Sequence, residues 1–402
     1  MRSQRFSKAV VGDADVAGKR VLVRADLNVP LSGAGPGRGV GDDTRIRAAL
    51  PTIQHLREAG AGVIVCSHLG RPDGEWDEDL TMAPVASRLA ELLGTAVPVA
   101  AGVVGDLVEA VAANLEAGEV LLLENTRFEP GELRNDPRLA EGLAAVADLY
   151  VNDAFGAAHR AHASTEGVAH HLPAYAGLLL ERELRELGAV LDDPARPLVV
   201  AIGGAKITEK VAALERFLAI ADQILIGGAM CFSFFRSQGI GTGDSLVEDA
   251  GIEIAARVLE VAAAASCTLR LPTDLVIADS FSALAEIQEL DQVEVPDGWM
   301  GLDIGPRTAA AYADAIKGAA TVFWNGPMGA FELAPFASGT RVLAEAVAST
   351  AATTVVGGGD SGAALSGLGL ADKVDWLSTG GGASLQLIEG RKLPGVEALL
   401  DA

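Results

Sequence analysis

The sequence predicts an α/β protein of two domains, each built on a parallel β-sheet that is covered by helices on both faces. A chain of 402 residues exceeds what one compact core usually holds. Short β-branched runs recur along it and are almost continuously apolar, which is typical of strands buried on both faces of a parallel sheet. The segments between these runs repeat apolar residues at intervals of three and four, as amphipathic helices do. This alternation predicts two successive α/β domains.

Nine strands are predicted in chain order, four in the first half and five in the second. They are Val21–Leu27, Ala61–His68, Val120–Asn125, Leu149–Asp153, Pro197–Gly204, Gln223–Met230, Thr268–Ala278, Thr321–Pro327 and Thr353–Asp360. A charged helix and a proline-containing linker over 177–196 separate the halves. We therefore expect a first lobe over 1–176 and a second lobe over 197–378. The Gly-rich stretch from Ser32 to Asp43 is predicted to be a surface loop.

Charge and composition exclude several classes of protein. The formal net charge of −23 argues against a nucleic acid as partner, because surfaces that bind phosphodiesters are usually basic. No apolar stretch is long enough to cross a bilayer, and the N-terminus does not resemble a signal peptide, so we expect a cytoplasmic protein. Cys66, Cys231 and Cys267 lie far apart without metal-ligand spacing and are predicted to be reduced, buried thiols.

Polar and basic side chains follow the strands of the first half. Ligands of open parallel sheets bind outside the carboxyl ends of the strands. The residues at these ends are Arg24, Asp26, Asn28, His68, Arg71, Arg127, Asn152, Asp153, His159 and Arg160. Arg45, at the start of a predicted helix, can join them from the side. Several guanidinium groups at neighbouring strand ends predict a basic site for phosphate and carboxylate.

The strands of the second half end in glycine instead. The sequences are GGAK, GGAM, NGP and GGGDSG. Glycine lets the backbone approach a phosphate, and a following helix N-terminus supplies free N–H donors, so we predict a nucleotide here. Lys206 and Lys210 are four residues apart at the predicted start of a helix. We expect their ammonium groups to project from one face toward the phosphates.

The loop GGGDSG also fits the pattern of dinucleotide-binding folds, which is weak evidence taken alone. A nicotinamide-dependent dehydrogenase is therefore one alternative, and a non-catalytic anion-binding protein is another. The dehydrogenase explains neither the arginine cluster nor Asp360. A carboxylate within a phosphate-binding loop is expected where Mg²⁺ lies between it and the nucleotide.

Ten motifs, taken together, resemble those of phosphoglycerate kinases in the order of that family and along essentially the whole chain. They are RADLNVPL, DDTRI, SHLGRP, ENTRF, NDAFGAAHRAHAS, GGAKITEK, GWMGLDIGP, FWNGPMGAFE, GGGDS and STGGGASLQLIEG. The resemblance implies two Rossmann-like lobes joined by a hinge helix, with 3-phosphoglycerate on the first lobe and Mg-nucleotide on the second. It also implies a monomer whose residues 379–402 return to the first lobe. Transfer between substrates on different lobes would require the lobes to close.

The resemblance further implies reversible phosphoryl transfer between ATP and the carboxylate of 3-phosphoglycerate, giving ADP and 1,3-bisphosphoglycerate, in glycolysis and gluconeogenesis. The implied ligands of the acid are Asp26, Asn28, Arg45, His68, Arg71, Arg127 and Arg160. The implied nucleotide-binding residues are Gly203, Lys206, Lys210, Gly228, Asn325, Glu332, Gly358, Gly359, Asp360 and Ser361. Arg45 and Lys206 would be catalytic, and Asp360 would bind Mg²⁺. The chain departs from the family pattern at Gln386, where Glu is commoner, and at Ala229, where Gly is usual.

Overall fold

The computed structural model describes residues 7–33, 35 and 38–402. The chain divides into two compact units. The first runs up to Arg185 and takes in Arg391–Ala402, and the second is Glu186–Gly390. Each unit contains its own parallel sheet flanked by helices, which confirms the predicted fold class.

The first unit is built on a five-stranded parallel sheet and carries a separate hairpin. Its strands are β1 (Arg20–Arg24), β2 (Leu31–Ser32), β3 (Gly39–Val40), β4 (Gly62–Cys66), β5 (Val120–Leu122), β6 (Leu149–Asn152) and β7 (Ala174–Ala176). The sheet order is β5-β4-β1-β6-β7, which places β1 at the centre. β7 was not predicted, because three residues of the sequence Ala-Tyr-Ala carry no β-branched signal.

The hairpin corrects the prediction of a surface loop between Ser32 and Asp43. Leu31 of β2 pairs with Val40 of β3, and both side chains pack against the core of the first unit. These two apolar residues flank the Gly-rich run and close it into antiparallel strands. Residues 34, 36 and 37 of the predicted loop lie outside the described residues.

The helices of the first unit bury one face each, as the sequence periodicity predicts. They are α1 (Thr44–Glu58), α2 (Ala83–Leu93), α3 (Asp106–Ala113), α4 (Pro137–Ala145) and α5 (Leu178–Asp192). In α1 the buried face includes Ile46, Ala49, Ile53 and Leu56, which recur at intervals of three and four. These side chains join the β-branched residues of the sheet in one core. α5 continues across the boundary between the units at residues 185 and 186.

The second unit combines a six-stranded parallel sheet with a small antiparallel one. Its strands are β8 (Leu198–Ile202), β9 (Gln223–Ile226), β10 (Thr268–Arg270), β11 (Leu275–Ala278), β12 (Ile287–Leu290), β13 (Met300–Ile304), β14 (Thr321–Asn325), β15 (Thr353–Gly357) and β16 (Trp376–Leu377). The orders are β10-β9-β8-β14-β15-β16 and β12-β11-β13. The single strand predicted over Thr268–Ala278 is wrong, since β10 and β11 belong to different sheets. Pro272 lies between them and has no N–H to donate to a strand ladder.

Helices cover the large sheet of the second unit. They are α6 (Val211–Ile220), α7 (Cys231–Ser237), α8 (Asp249–Ala264), α9 (Pro306–Lys317), α10 (Ser338–Ser349), α11 (Gly359–Gly367) and α12 (Gly382–Ile388), and the short α13 (Pro394–Glu397) belongs to the first unit. Trp324 of β14 is fully buried within the hydrophobic core of this unit. Among the described residues, no helix is long and apolar enough to span a bilayer.

Candidate active site

Basic side chains gather at the carboxyl edge of the sheet in the first unit. β1 pairs in parallel with β4 on one side and β6 on the other, so their carboxyl ends lie level. Burial lowers the pKa of Arg127, and the positive charges of Arg160, Arg24 and Arg71 lower it further. Such mutual effects require the guanidinium groups to be near one another. The structure therefore brings together the arginines that the sequence places at separate strand ends.

Asp26 and Asn28 position other groups of this edge. Arg45 Nη1 donates to both carboxylate oxygens of Asp26, at 3.0 Å each. The Asn28 side-chain oxygen accepts the Gly70 N–H at 2.9 Å and thereby fixes the loop that carries His68 and Arg71. Asp26 and Asn28 lie after β1, at the strand end that the sequence predicts. Their side chains bond to the helix and the loop that carry basic groups of this edge.

Two nitrogens of the cluster are buried without a hydrogen-bond partner in the described part of the chain. They are Arg127 Nε and His159 Nδ1. Arg127 Nη1 is held by the Gly70 carbonyl at 2.6 Å, and Arg160 Nε donates to His159 Nε2 at 3.0 Å. Unpaired buried nitrogens are costly, so this edge is not optimised for stability alone, as is typical of functional sites.

Not every strand-end residue faces this site. Asn152 donates to the carbonyls of Thr165 and Gly395, at 3.2 and 2.9 Å. The Asp153 carboxylate accepts the N–H groups of Leu179 and Leu180 at the start of α5, at 2.9 and 3.2 Å. Both side chains are fully buried and serve the fold of the unit.

The second unit contains a cavity of about 670 Å³ beside the carboxyl ends of β8, β9 and β14. Its walls combine glycine-rich backbone with apolar side chains and a few carboxylates, a composition and size suited to a small ligand. Predicted residues in the lining are Gly228, Glu332 and Asp360. The lining also includes Phe232, Leu246, Phe281, Leu302 and Phe331. These apolar residues were missed because nothing distinguishes them in sequence from ordinary core or surface residues.

The glycines at the strand ends pack mainly against each other. A Cβ on Gly228, whose φ is 65°, would overlap the Gly204 amide nitrogen and lie 2.6 Å from its oxygen. A Cβ on Gly203 would overlap the Pro327 carbonyl oxygen. These two positions thus need glycine for the approach of neighbouring loops. Gly359 differs, since a Cβ there would meet no atom within 4 Å.

The expectation that Lys206 and Lys210 share one helix face is wrong. α6 begins only at Val211, because residues 207–210 form a turn in which the Lys210 N–H donates to the Ile207 carbonyl. Lys206 is 57% exposed and lies 3.3 Å from Glu209. Lys210 Nζ instead donates to the Gly203 carbonyl and the Asn325 side-chain oxygen, both at 2.7 Å. Burial lowers the pKa of Lys210 to about 8, while the charge of Asp360 opposes this shift.

The N-terminus of α11 follows β15 directly. Gly358, with φ of 94°, precedes the helix, and the exposed Asp360 lies in its first turn. The Ser361 hydroxyl is buried and accepts the Gly326 N–H at 2.6 Å, so it connects two loops. The described residues contain no group of three His, Cys, Asp or Glu side chains that could hold a metal alone. A single carboxylate nevertheless fits Mg²⁺, which is commonly bound through one or two carboxylates and substrate phosphates.

Comparison with known proteins identifies the family. Residues 11–391 match the sequence profile of the phosphoglycerate kinase family. The chain is 55% identical to phosphoglycerate kinase of Roseiflexus castenholzii, over 99% of its own length and 100% of that protein. The chain belongs to the phosphoglycerate kinase family. It is also 54% identical to phosphoglycerate kinase of Moorella thermoacetica, over 98% of this chain and 100% of that one.

Solved phosphoglycerate kinases share the fold. The enzyme of Coxiella burnetii superposes with a TM-score of 0.87 at 39% identity, over 97% of this chain and 98% of that chain. As a phosphoglycerate kinase, the chain transfers a phosphoryl group between ATP and the carboxylate of 3-phosphoglycerate and uses Mg²⁺. The alternative of a nicotinamide-dependent dehydrogenase is not supported.

Proposed function

We propose that the first unit binds 3-phosphoglycerate at the basic edge of its sheet and that the second unit binds Mg-nucleotide in its cavity. The proposed ligands of the acid are Asp26, Asn28, Arg45, His68, Arg71, Arg127 and Arg160. Asp26 also holds Arg45, and Asn28 holds the loop at Gly70. The proposed nucleotide site comprises Lys206, Lys210, Asn325, Glu332, Asp360 and the backbone of Gly203, Gly228, Gly358, Gly359 and Ser361. Asp360 is the proposed metal ligand, and we place the protein in the cytoplasm.

The observation that carries this proposal is the arginine cluster of the first unit. Arg127 is buried among Arg24, Arg71 and Arg160, whose charges all disfavour its own. Glu132 is a buried carboxylate that opposes this shift, but it is one anion among several guanidinium groups, and perturbed charges of this kind are concentrated at functional sites. A substrate with a phosphate at one end and a carboxylate at the other supplies two such anions, and each can accept a bidentate arginine.

The reaction then needs positioning and charge neutralisation rather than proton transfer. The acceptor carboxylate is already ionised at neutral pH, so no general base is required. Arg45 and Lys206 are proposed to stabilise the oxygens of the transferring phosphoryl group. Bound Mg²⁺ supplies Lewis-acid neutralisation of the nucleotide phosphates. Lys210 holds Asn325 and Gly203 in place and adds positive charge at the base of the nucleotide loops.

A coupled assay tests the proposal. The purified chain should form ADP from ATP only when both 3-phosphoglycerate and Mg²⁺ are present, and Arg45→Ala should lower kcat about 100-fold or more while the protein stays folded. ADP formation at the same rate without the acid, or an Arg45→Ala variant with wild-type kcat, would contradict it.

A further inference from the structure

A buried chain of hydrogen bonds runs beneath the basic edge of the first unit. It starts at Glu132, whose carboxylate accepts the Ser164 hydroxyl at 2.5 Å and the Ser164 N–H at 3.0 Å. Ser164 Oγ in turn accepts Arg24 Nε–H at 2.8 Å. Arg24 Nη2 then lies 2.9 Å from His68 Nδ1. Glu132 and Ser164 are fully buried, Arg24 is 1% exposed and His68 is 7% exposed.

The chemistry of these groups fixes the direction of every proton in the chain. A guanidinium has only donors and stays protonated in proteins, so His68 Nδ1 must be the acceptor of its bond with Arg24. An imidazole that accepts at Nδ1 is neutral and carries its one proton on Nε2. At the other end, an ionised carboxylate can only accept, so the Ser164 proton points to Glu132 and its lone pair is left for Arg24.

The surroundings of His68 reinforce the neutral form. Burial lowers the pKa of His68 well below its ordinary value, and the charges of Arg24, Arg127 and Arg45 and the nearby His162 lower it further. The three arginines come from β1, from the turn after β5 and from α1, so cationic groups face the ring from three elements. His162, from the loop after β6, has a pKa lowered to about 4 by burial and by the same arginines, and it is therefore neutral near pH 7. Glu132 is the buried anion that offsets Arg24 at the far end of the chain.

The remaining ring nitrogen is the one that is available to a ligand. His68 Nε2 has no hydrogen-bond partner within the described part of the chain, whereas Nδ1 is occupied by Arg24. With the proton on Nε2, the ring is a fixed hydrogen-bond donor and cannot act as an acceptor or a base.

We propose that Arg24, Ser164 and Glu132 are positioning residues that hold His68 as the neutral Nε2–H tautomer, so that it donates to an anionic oxygen of the acid substrate at any pH near neutrality. The inference rests on the proposed function, in which His68 is a ligand of 3-phosphoglycerate. It adds that three residues outside the proposed ligand set of the acid determine what His68 can do. A His68 ring fixed in this tautomer also takes no part in proton transfer.

Nuclear magnetic resonance of the full chain labelled with ¹⁵N in its six histidines tests the tautomer directly. Two-bond ¹H–¹⁵N correlations distinguish Nδ1–H, Nε2–H and doubly protonated rings, and His68→Gln identifies the signal by its loss. We expect the His68 ring to remain in the Nε2–H form from pH 6 to pH 8 without ligand. Addition of 3-phosphoglycerate should shift its Nε2 resonance without changing the tautomer.

Variants test the hydrogen-bond chain. In Arg24→Met the His68 ring should populate both neutral tautomers, and its pKa should move closer to the ordinary histidine range. The KM for 3-phosphoglycerate at pH 8 should rise about tenfold or more, and the KM for ATP should be unchanged. The ratio of the variant KM to the wild-type KM should fall as pH decreases, since a protonated ring regains a donor. Ser164→Ala removes one link with little loss of volume and should shift the tautomer in the same direction, which covers the case in which Arg24→Met does not fold.

Tyr150→Phe is the matched control. Tyr150 is buried and donates to the Ser164 carbonyl at 2.8 Å, so its loss removes a hydrogen bond next to the chain but outside it. The His68 tautomer should be unchanged in this variant.

Two results would overturn the inference. The first is a wild-type His68 ring that carries its proton on Nδ1 or that titrates between pH 6 and pH 8. Either behaviour would show that Arg24 does not hold Nδ1, whether or not 3-phosphoglycerate shifts the signal. An Nε2–H ring that is not perturbed by saturating 3-phosphoglycerate would overturn the premise that His68 is a ligand. The first result leaves the proposed function intact, so the two failures can be told apart.

Discussion

Lys206 and Lys210 lie in the same loop but make different contacts. Lys210 is bound by three oxygens of Gly203 and Asn325. Lys206 is exposed, and its ammonium group lies 3.3 Å from the Glu209 carboxylate. Lys210 therefore connects the loops that follow β8 and β14, whereas Lys206 is available to a group that enters the proposed nucleotide site.

We predict that Lys206→Ala lowers kcat by about 100-fold or more with little change in the KM for ATP. An interaction made chiefly in the transition state affects rate rather than ground-state binding. Thermal stability should be unchanged, because the ion pair of Lys206 with Glu209 is exposed to solvent on both sides. Glu209→Gln, which removes only the partner of Lys206, is the control and should keep kcat near the wild-type value. A Lys206→Ala variant with wild-type kcat would remove this lysine from the catalytic residues.

Particular residues show what could and could not be predicted from the sequence. Arg127 and Asp360 could be placed because polar residues after buried strands of a parallel sheet meet at one edge. Asp153 and Ser361 occupy equivalent positions, yet their side chains bond to backbone N–H groups inside the fold. Whether such a side chain faces the site or bonds inside the fold depends on how distant elements pack, and the sequence pattern does not show this. The apolar residues of the cavity wall, such as Phe281, could not be predicted either, because their place in the cavity also depends on how distant elements pack.

At the scale of elements, the N-terminus of α5 is held by side chains from two other elements. Its N–H groups at Leu178, Leu179 and Leu180 have no acceptor within the helix. Thr52 of α1 accepts the first at 3.0 Å, and Asp153 at the end of β6 accepts the other two. α1 also carries Arg45, and the loop after Asp153 carries Arg160. The start of this helix is thereby tied to both elements that supply basic groups to the site.

Asp153 should also make stability depend on pH. Burial raises its pKa from 3.8 to about 7, although its hydrogen bonds oppose the shift. Between these values the folded chain holds a proton that the unfolded chain has released, so this group makes stability fall as pH rises from about 4 to 7. Asp153→Asn keeps the acceptor but cannot ionise. Its free energy of unfolding, measured by urea titration, should rise relative to the wild type by up to about 1 kcal/mol per pH unit in this window.

Comparison of the two proteins at each pH isolates this residue. Asp303 also has a pKa raised to about 7 by burial, but it is present in both chains and cancels. A difference between Asp153→Asn and the wild type that is constant from pH 4 to pH 7 would show that Asp153 does not titrate there.

The start of α11 offers a second test at this scale. A Cβ on Gly359 would meet no protein atom within 4 Å, and its φ is not positive, so the fold itself does not require glycine there. We predict that Gly359→Ala raises the KM for ATP about three- to tenfold by keeping phosphate oxygens away from the helix N–H groups, and leaves the KM for 3-phosphoglycerate unchanged. Gly367→Ala, at the other end of the same helix and equally open, should leave both values unchanged. Equal kinetics of the two variants would argue against nucleotide binding at this helix.

For the whole molecule, the distribution of charge matters more than its sum. The chain carries a formal charge of −23, yet both substrates are anions. The arginine cluster of the first unit is therefore a local exception on an acidic protein, and the proposed nucleotide loops of the second unit contribute Lys206 and Lys210. Closure of the two lobes, expected from the sequence, stays a prediction. The central claim is that the acid and the nucleotide are bound by different units through their own residues.

Calorimetric titration of the full chain with 3-phosphoglycerate alone and with Mg-ADP alone tests this claim most directly. Arg160→Lys keeps the charge but loses the planar fork, so it should weaken binding of the acid about tenfold and leave Mg-ADP affinity unchanged. Asp360→Asn should weaken Mg-ADP to a similar extent and leave the acid unaffected. If either variant instead weakened the ligand assigned to the other unit as much as its own, the division of binding between the units would be contradicted.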